Sequence, residues 1–470
     1  MLFPNRAGRL SSPWLMMAAL IALPVGIGVP LSWSDAVGAQ ARPGRSAAAV
    51  TYARDVAPIL QKRCMSCHRP GEVAPFSLTS YKDARKRAKQ IAVVTRSRFM
   101  PPWKAESNGE FHDEMRLTES EIATLAAWAD SGAPMGNPKE LPPNPKFPAG
   151  WQLGTPDVVL DIGADYELPA EGSDVYRNFV IPTSFPEDRW VSAMEVRPGN
   201  RAVVHHVLVF TDTSGAARKL DEKDPGPGYS TFGGVGFLPA GGLGGWAPGN
   251  LPRPLPDGVG SLLPKGADLV LQVHYNMSGK PERDRTKIGL FFAKKPVDKH
   301  LRIFPLIAPF LRIPPGDKNH VVEGSFPVPM DVQVLQVTPH MHLLGREMTV
   351  TATLPDKTQK RIVHVPDWDF NWQNTYSFRE PLNLPAGTWL KLRARYDNSE
   401  ENPRNPSRPP KLVTWGEKTT DEMCIAFIAY TVNAESLTKG RSVNGLRQQA
   451  RARLERVRAF LQPQAGRRNR

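Results

Sequence analysis

Proline sets the strongest limit on this chain: 47 of its 470 residues are proline, about twice the usual ~5% share. A proline inside a helix removes a hydrogen-bond donor and clashes with the preceding turn. So dense a distribution argues against a helix-rich fold and points to short β-strands joined by long loops. With 40% hydrophobic and 23% charged residues, the chain can still bury real cores, which excludes a disordered protein. Its length predicts two to four domains, and three cysteines are too few for a disulfide scaffold. The net charge of +14 is concentrated in the tail, where Lys439 to Arg470 holds ten Lys/Arg against one Glu. No nucleic-acid-binding motif accompanies it, so nucleic acid is not an expected partner.

The N-terminus reads as an export signal. Arg6 and Arg9 precede an apolar run from Trp14 to Trp33, interrupted by Pro24, Gly26, Gly28 and Pro30, and Ala39-Gln40-Ala41 supplies an A-x-A cleavage site. Residues 1–41 are therefore expected to be a signal peptide, with an uncleaved anchor as the alternative. Either one places the body outside the cytoplasm, in the periplasm or at the cell surface.

Cys64-Met65-Ser66-Cys67-His68 is a C-x-x-C-H site. Its two thiols add to haem vinyl groups and the adjacent imidazole becomes the proximal iron ligand, so one covalently bound c-type haem is expected. A zinc site would need more Cys or His nearby, and only His112 is near. A redox dithiol would need a βαβ pattern, which is missing. Helices are predicted over Asp55–Lys62, over Tyr81–Arg98, and from Thr118 to about Ser131, where Thr118 and Glu121 form a capping-box pattern. Met100, between Phe99 and Pro101-Pro102, is the expected sixth iron ligand, with Met115 and Met135 as rivals. The stretch 50–137 resembles class I cytochromes c, and Pro- and Asn-rich residues 138–156 read as a linker.

Short β-type runs follow: Asn178–Ile181, Ala202–Phe210, Ala267–Tyr275 and Thr286–Phe292, then His300–Phe304, Val332–Thr338, Met348–Thr353, Trp389–Tyr396 and Glu422–Tyr430. Turn residues punctuate them, which predicts sandwiches or jelly rolls rather than a parallel sheet. The stretch Gly226–Gly266 is Gly/Pro-rich, and its Gly241-Gly242-Leu243-Gly244-Gly245 run is not a dinucleotide-binding loop, since proline and no helix follows. His205, His206, His274, His340, His342 and Met423 all sit in or beside these runs. His340 and His342, two apart on a strand, would face one side. His205 and His206 are adjacent, so joint ligation would need a twist or bulge. Singly, each of these residues reads as core or surface. Jointly they read as metal ligands. Three imidazoles suit a copper that changes oxidation state, and two imidazoles with a thioether favour Cu(I). Zinc rarely takes Met and cannot carry electrons from a haem. His112, His300, His320 and His364 show no such pattern and are expected to be structural or at the surface.

Four segments in order, Val203–Phe210, Val270–Tyr275, His340–Gly345 and Asp421–Cys424, closely resemble the copper type II, ascorbate-dependent monooxygenases, the family of peptidylglycine α-hydroxylating monooxygenase and dopamine β-monooxygenase. The resemblance covers about 155–432. It implies a mainly β fold of two jelly-roll-like β-sandwich domains, 157–298 and 299–435, here preceded by a small all-α cytochrome c domain. It implies two copper ions across a solvent-filled cleft. His205, His206 and His274 match the ligands of the electron-transfer copper; His340, His342 and Met423 match those of the copper that activates O2. The implied reaction is hydroxylation of a C–H bond of a small organic substrate by O2, with electrons from a reductant or redox partner, here the haem or an ascorbate-like donor. Peptide-amidating members carry Arg, Asn and Tyr where this chain has Thr338, Ile425 and Phe427. A carboxylate fork is therefore missing and an apolar or neutral substrate is expected. A non-catalytic electron carrier or copper-binding protein is the alternative function. The basic tail, 436–470, has an apolar stripe from Val443 to Leu461. Packing on the body is favoured over contact with a membrane surface.

Overall fold

The computed structural model describes residues 49–445, apart from 149, 232 and 233. The expected signal peptide and most of the basic tail lie outside the described residues. Among the described residues, no helix is long and apolar enough to cross a membrane.

Helix concentrates between Tyr52 and Asp130. Pro58 opens the Ala57–Arg63 helix, where a missing N–H leaves nothing unsatisfied. Glu119–Asp130 begins with both hydrogen bonds of the capping box between Thr118 and Glu121. The single helix expected over Tyr81–Arg98 is instead broken into Tyr81–Lys86 and Ala88–Arg96. At the break Arg87 leaves helical geometry (φ −115°, ψ 10°), and its guanidinium lies 3.7 Å over the Phe76 ring. These helices bury Leu60, Ile91, Leu125 and Trp128 in one core.

From Val158 onward the chain is built of β-sheets. In the first block one sheet orders Val158–Asp161, Lys287–Phe292, Arg189–Arg197, Val259–Leu263 and Lys299–His300. The other orders Val175–Pro182, Asp268–Tyr275, Val204–Asp212 and Gly241–Trp246. They share a core containing Phe179, Val207, Leu271 and Ile288. The second block pairs a sheet of Arg302–Ile307, Ile425–Val432, Val332–His340 and Tyr376–Leu384 with one of His320–Pro327, Trp389–Tyr396, Gly345–Thr353 and Gln359–Val365. Val337, Leu392 and Ala426 lie in their common core. The pairings within these sheets are antiparallel except that of Lys299–His300 with Val259–Gly260, where the chain passes from one block to the next.

The strand patterns follow from which faces are covered. Along Trp389–Tyr396 the residues Leu390, Leu392, Ala394 and Tyr396 are buried while Lys391 and Arg393 are exposed, the alternation of a sheet with one wet face. Asp268–Tyr275 is buried throughout, because a cluster of Ala217, Tyr229 and Val235 packs on Val270 from the side away from the shared core. The Gly/Pro-rich Gly226–Gly266 stretch contains the strands Gly241–Trp246 and Val259–Leu263. Its glycines permit close approach: a Cβ on Gly245 would meet the carbonyl oxygen of Val207 at 2.7 Å.

The helical unit is stitched to both β blocks. Between helices Ala88–Arg96 and Glu119–Asp130, residues 103–112 run over the second block. Ala105 and Phe111 are buried in that block's core, Phe111 forms a bridge with Phe378, and the His112 N–H donates to the Ser377 carbonyl at 2.8 Å. Toward the first block, Arg201 pairs with Glu72 at 2.6 Å and Arg253 with Asp113. The stretch 138–156, read as a linker, also packs, with Arg69 4.3 Å above the Phe147 ring. At the other end of the described chain, Val443 is buried in the second block's core.

Candidate metal centre

The first three imidazoles meet because of a bulge. In the pairing of Val204–Asp212 with Asp268–Tyr275, Val204 faces Tyr275 and His206 faces His274, and the register shifts between them. His205 is thus the extra residue, turned to the side of its neighbours. One ligand atom from each of His205, His206 and His274 lies within 4.8 Å of the others. The Nδ1 atoms of His205 and His206 are 3.2 Å apart; two imidazole donors at ~2 Å from one ion would be ~3 Å from each other.

Neighbours set the ring nitrogens. His274 stacks on Tyr176 with centroids 4.1 Å apart at 13°. Its Nε2 faces the Asp174 carboxylate at 3.4 Å and the Thr419 hydroxyl at 3.5 Å. That leaves Nδ1 buried without a hydrogen-bond partner. A buried donor atom with nothing to bind is costly unless something fills the place. Burial, and then the neighbouring imidazoles, hold His206 and His274 well below the ordinary histidine value. Burial lowers His205 to about 4. The three rings are neutral at neutral pH, the form in which imidazole binds a metal.

The second pair is built differently. His340 ends the Val332–His340 strand and His342 lies just past it, their ring centroids 5.2 Å apart and nearly perpendicular. The Gln373 side-chain N–H2 donates to the Phe370 carbonyl at 3.0 Å, which aims its Oε1 at His340 Nδ1, 2.6 Å away. His340 Nδ1–H donates there and its Nε2 keeps the lone pair. His342 Nδ1–H donates to the Asp421 carbonyl at 3.1 Å, and its Nε2 is buried without a partner. Burial, then His340, lowers His342 to about 3. Glu422 is wholly buried. Its carboxylate accepts the backbone N–H of His342 (2.8 Å), Leu344 (2.6 Å) and Met423 (3.2 Å), and burial pushes its pKa up to about 8 against those donors. Met423 is half-buried. His340 pairs with Ile425 in antiparallel register, two residues along the chain from Met423.

The two sets do not face each other across open solvent, as the family resemblance implies. His206 and His340 have ring centroids 5.9 Å apart. Phe370 stacks on His205 at 4.3 Å and reaches within 5.9 Å of His342. The 369–375 loop and Thr419 reach from the second block to the first block's histidines and close the space. Sequence reasoning missed Asp174, Tyr176, Phe370, Gln373 and Thr419. These residues lie in loops or at a strand end, without periodicity or spacing to mark them; Glu422, next to Met423 in an apolar run, had a signal in its charge.

The C-x-x-C-H turn stands apart from this cluster. Cys64, Cys67 and Cys424 are free thiols. The His68 N–H and the Cys67 N–H both bond to the Cys64 carbonyl, so the three side chains leave one turn. His68 Nδ1–H donates to the Phe76 carbonyl at 3.1 Å, which leaves Nε2 for another partner. Met100 is half-buried at the end of the Ala88–Arg96 helix, its N–H on the Val94 carbonyl. Met115 is buried and Met135 packs on the helical core. Among the unpatterned histidines, His364 bridges Glu106 and Glu347 and His320 pairs with Asp317.

Comparison with known proteins bears on the second block. Residues 301–444 match the family of copper type II ascorbate-dependent monooxygenases over its C-terminal domain. DBH-like monooxygenase protein 1 of Homo sapiens is 24% identical over 180 residues, which cover 34% of this chain and 28% of the human protein. The Gallus gallus protein of that name is 24% identical over 195 residues, 37% of this chain and 30% of its own. Putative DBH-like monooxygenase protein 2 of Homo sapiens is 23% identical over 252 residues, 49% of this chain and 47% of its own. The match thus spans less than half the length of each of these relatives. Among solved structures, the major capsid protein P2 of bacteriophage PM2 aligns with a TM-score of 0.21 and 9% identity over 57% of this chain and 97% of that one, too low to bear on the fold. Residues 301–444 are thus similar to the C-terminal domain of the copper type II ascorbate-dependent monooxygenases, and the chain has distant DBH-like relatives.

Proposed function

We propose that the chain is an exported haem–copper monooxygenase that hydroxylates a C–H bond of a small organic substrate with O2. In this reading residues 50–137 form a cytochrome c-like unit, and 157–298 and 299–435 are the two copper domains, each a jelly-roll-like sandwich. His205, His206 and His274 hold one copper ion; His340, His342 and Met423 hold the other; Cys64, Cys67 and His68, with Met100, hold the haem. When bound, copper at these places supplies one-electron redox chemistry and activation of dioxygen, and the haem supplies single electrons.

The observation that carries the reading is the set of buried, partnerless nitrogens, His274 Nδ1 and His342 Nε2, each on a ring whose other nitrogen is already engaged. The chain's own residues orient these rings: Asp174 and Thr419 for His274, Gln373 for His340, and the Asp421 carbonyl for His342. Phe370 packs against rings of both sets, His205 and His342. Beside His340, the sheet carries Ile425 and, one row on, Phe427 paired with Thr338. The Thr338 hydroxyl is joined to that of Thr375 at 2.8 Å. Neither Ile425, Phe427 nor Thr338 carries a charge, which favours a neutral, apolar substrate.

Metal and haem analysis with O2 uptake tests the proposal. The expected result is two coppers and one covalent haem per chain, with reductant-driven O2 consumption that His342→Ala abolishes. Metal binding without turnover across a broad substrate panel would favour a periplasmic electron carrier or copper-binding protein.

A further inference from the structure

We propose that Glu72, Arg201 and Trp246 form the face that seats the Cys64–His68 turn against the strand carrying His205 and His206, and so position the chain for electron delivery between them. The inference rests on the haem–copper reading above.

Glu72 follows the C-x-x-C-H turn by four residues. Its carboxylate meets Arg69 at 2.8 Å and Arg201 at 2.6 Å, with only 7% of the Glu72 side chain exposed. A carboxylate taken that far from water needs both guanidinium groups, and losing one leaves an uncompensated charge. Arg201 lies four residues before His205, in a turn that is itself rigid. The Val203 and Val204 N–H groups bond to the Asn200 carbonyl, while the Asn200 side chain and N–H are held by Glu282 and Asp284 at 2.8 Å each. The pair therefore ties the turn at Cys64–His68 to a fixed point beside the first histidine set.

A cavity of about 60 Å³ lies at the same seam, and Ser66, Cys67, Glu72, Arg201, Trp246 and Asn250 are among the residues that line it. Trp246 pairs with Val207, the residue after His206. Cys67 and Trp246 thus line one cavity, and Trp246 lies on the strand paired with the one that carries His206. With haem held at Cys64, Cys67 and His68 and copper at the three imidazoles, the step would be a single electron transfer from ferrous haem to cupric ion, with no bond or proton changing place. An ion pair that merely braced the fold would not need an aromatic side chain and an attachment thiol lining one cavity.

The test follows haem oxidation by stopped flow in the purified, full-length protein loaded with haem and copper. In the parent protein, pre-reduced haem must reoxidise faster with copper present than without it. If it does not, or if no covalent haem is found, the haem–copper reading fails and this inference falls with it, before any substitution is made. Given that result, Arg201→Gln and Trp246→Leu are each expected to slow copper-dependent reoxidation by about tenfold, with haem and copper content unchanged in both and haem potential unchanged in Trp246→Leu. Trp246→Phe is expected to restore most of the rate. Parent rates in both Arg201→Gln and Trp246→Leu would overturn the inference. If Arg201→Gln does not fold, the Trp246 pair decides alone.

Discussion

The two histidine sets bury neutral imidazoles by opposite construction. His205, His206 and His274 are built into a sheet. A bulge turns His205 toward its neighbour, a register pair sets His206 against His274, and the strand that carries His274 is buried along its whole length. His340 and His342 sit at and just beyond a strand end, and loops hold them: Gln373 from one, Asp421 and Glu422 from another. Strand ladders fix geometry through many bonds at once, whereas a loop relies on a few, so the second set is the one that single substitutions should loosen.

The sharpest way to break this contrast is Glu422→Ala. It strands three buried backbone N–H groups, so a loss of about 4 kcal/mol is expected in chemical denaturation, with copper lost from the second set and kept by the first. Equal loss from both would show that the two are not independently built. Phe370→Ala comes next. It opens a cavity between the sets and removes the ring stacked on His205, for about 3 kcal/mol; copper titrations should show weaker binding at both sites, and an effect confined to one would shrink the role given to this ring. Gln373→Leu removes the acceptor of His340 Nδ1–H. A loss of roughly 10- to 100-fold in copper affinity is expected at the second set alone, read by competition with a copper chelator. The smallest effect belongs to Asp174→Asn, whose contact with His274 is long. A weakening of about tenfold or less at the first set is expected, and a larger loss would mean that the sheet holds this set less firmly than its bulge and register imply.

How far the chain could be read without coordinates follows the same divide. The runs predicted at Trp389–Tyr396, Ala267–Tyr275 and Val332–Thr338 match strands within two residues, since a covered face writes itself into a pattern of period two or an unbroken apolar run. The need for a bulge at His205-His206 follows from strand geometry alone. The strand Gly241–Trp246 is invisible to such reasoning, because its glycines have no β preference and its register comes from Val207–Thr211. Phe370, Gln373 and Thr419 are unreadable for another reason. Each meets its histidine across a long stretch of chain, as Thr419 does His274, 145 positions away, and nothing local marks such a partner. The closing of the space between the two sets is a product of these distant contacts.

The segment 103–112 carries a consequence for how such a protein can change over generations. Its Phe111 completes an interior that belongs to another part of the chain, facing Tyr376 and Phe378. A unit that lends side chains to its neighbour in this way cannot be swapped as a free-standing cassette. Exchange of the helical segment for an unrelated unit would leave a hole in the second β block, so the two must be inherited together and repaired together.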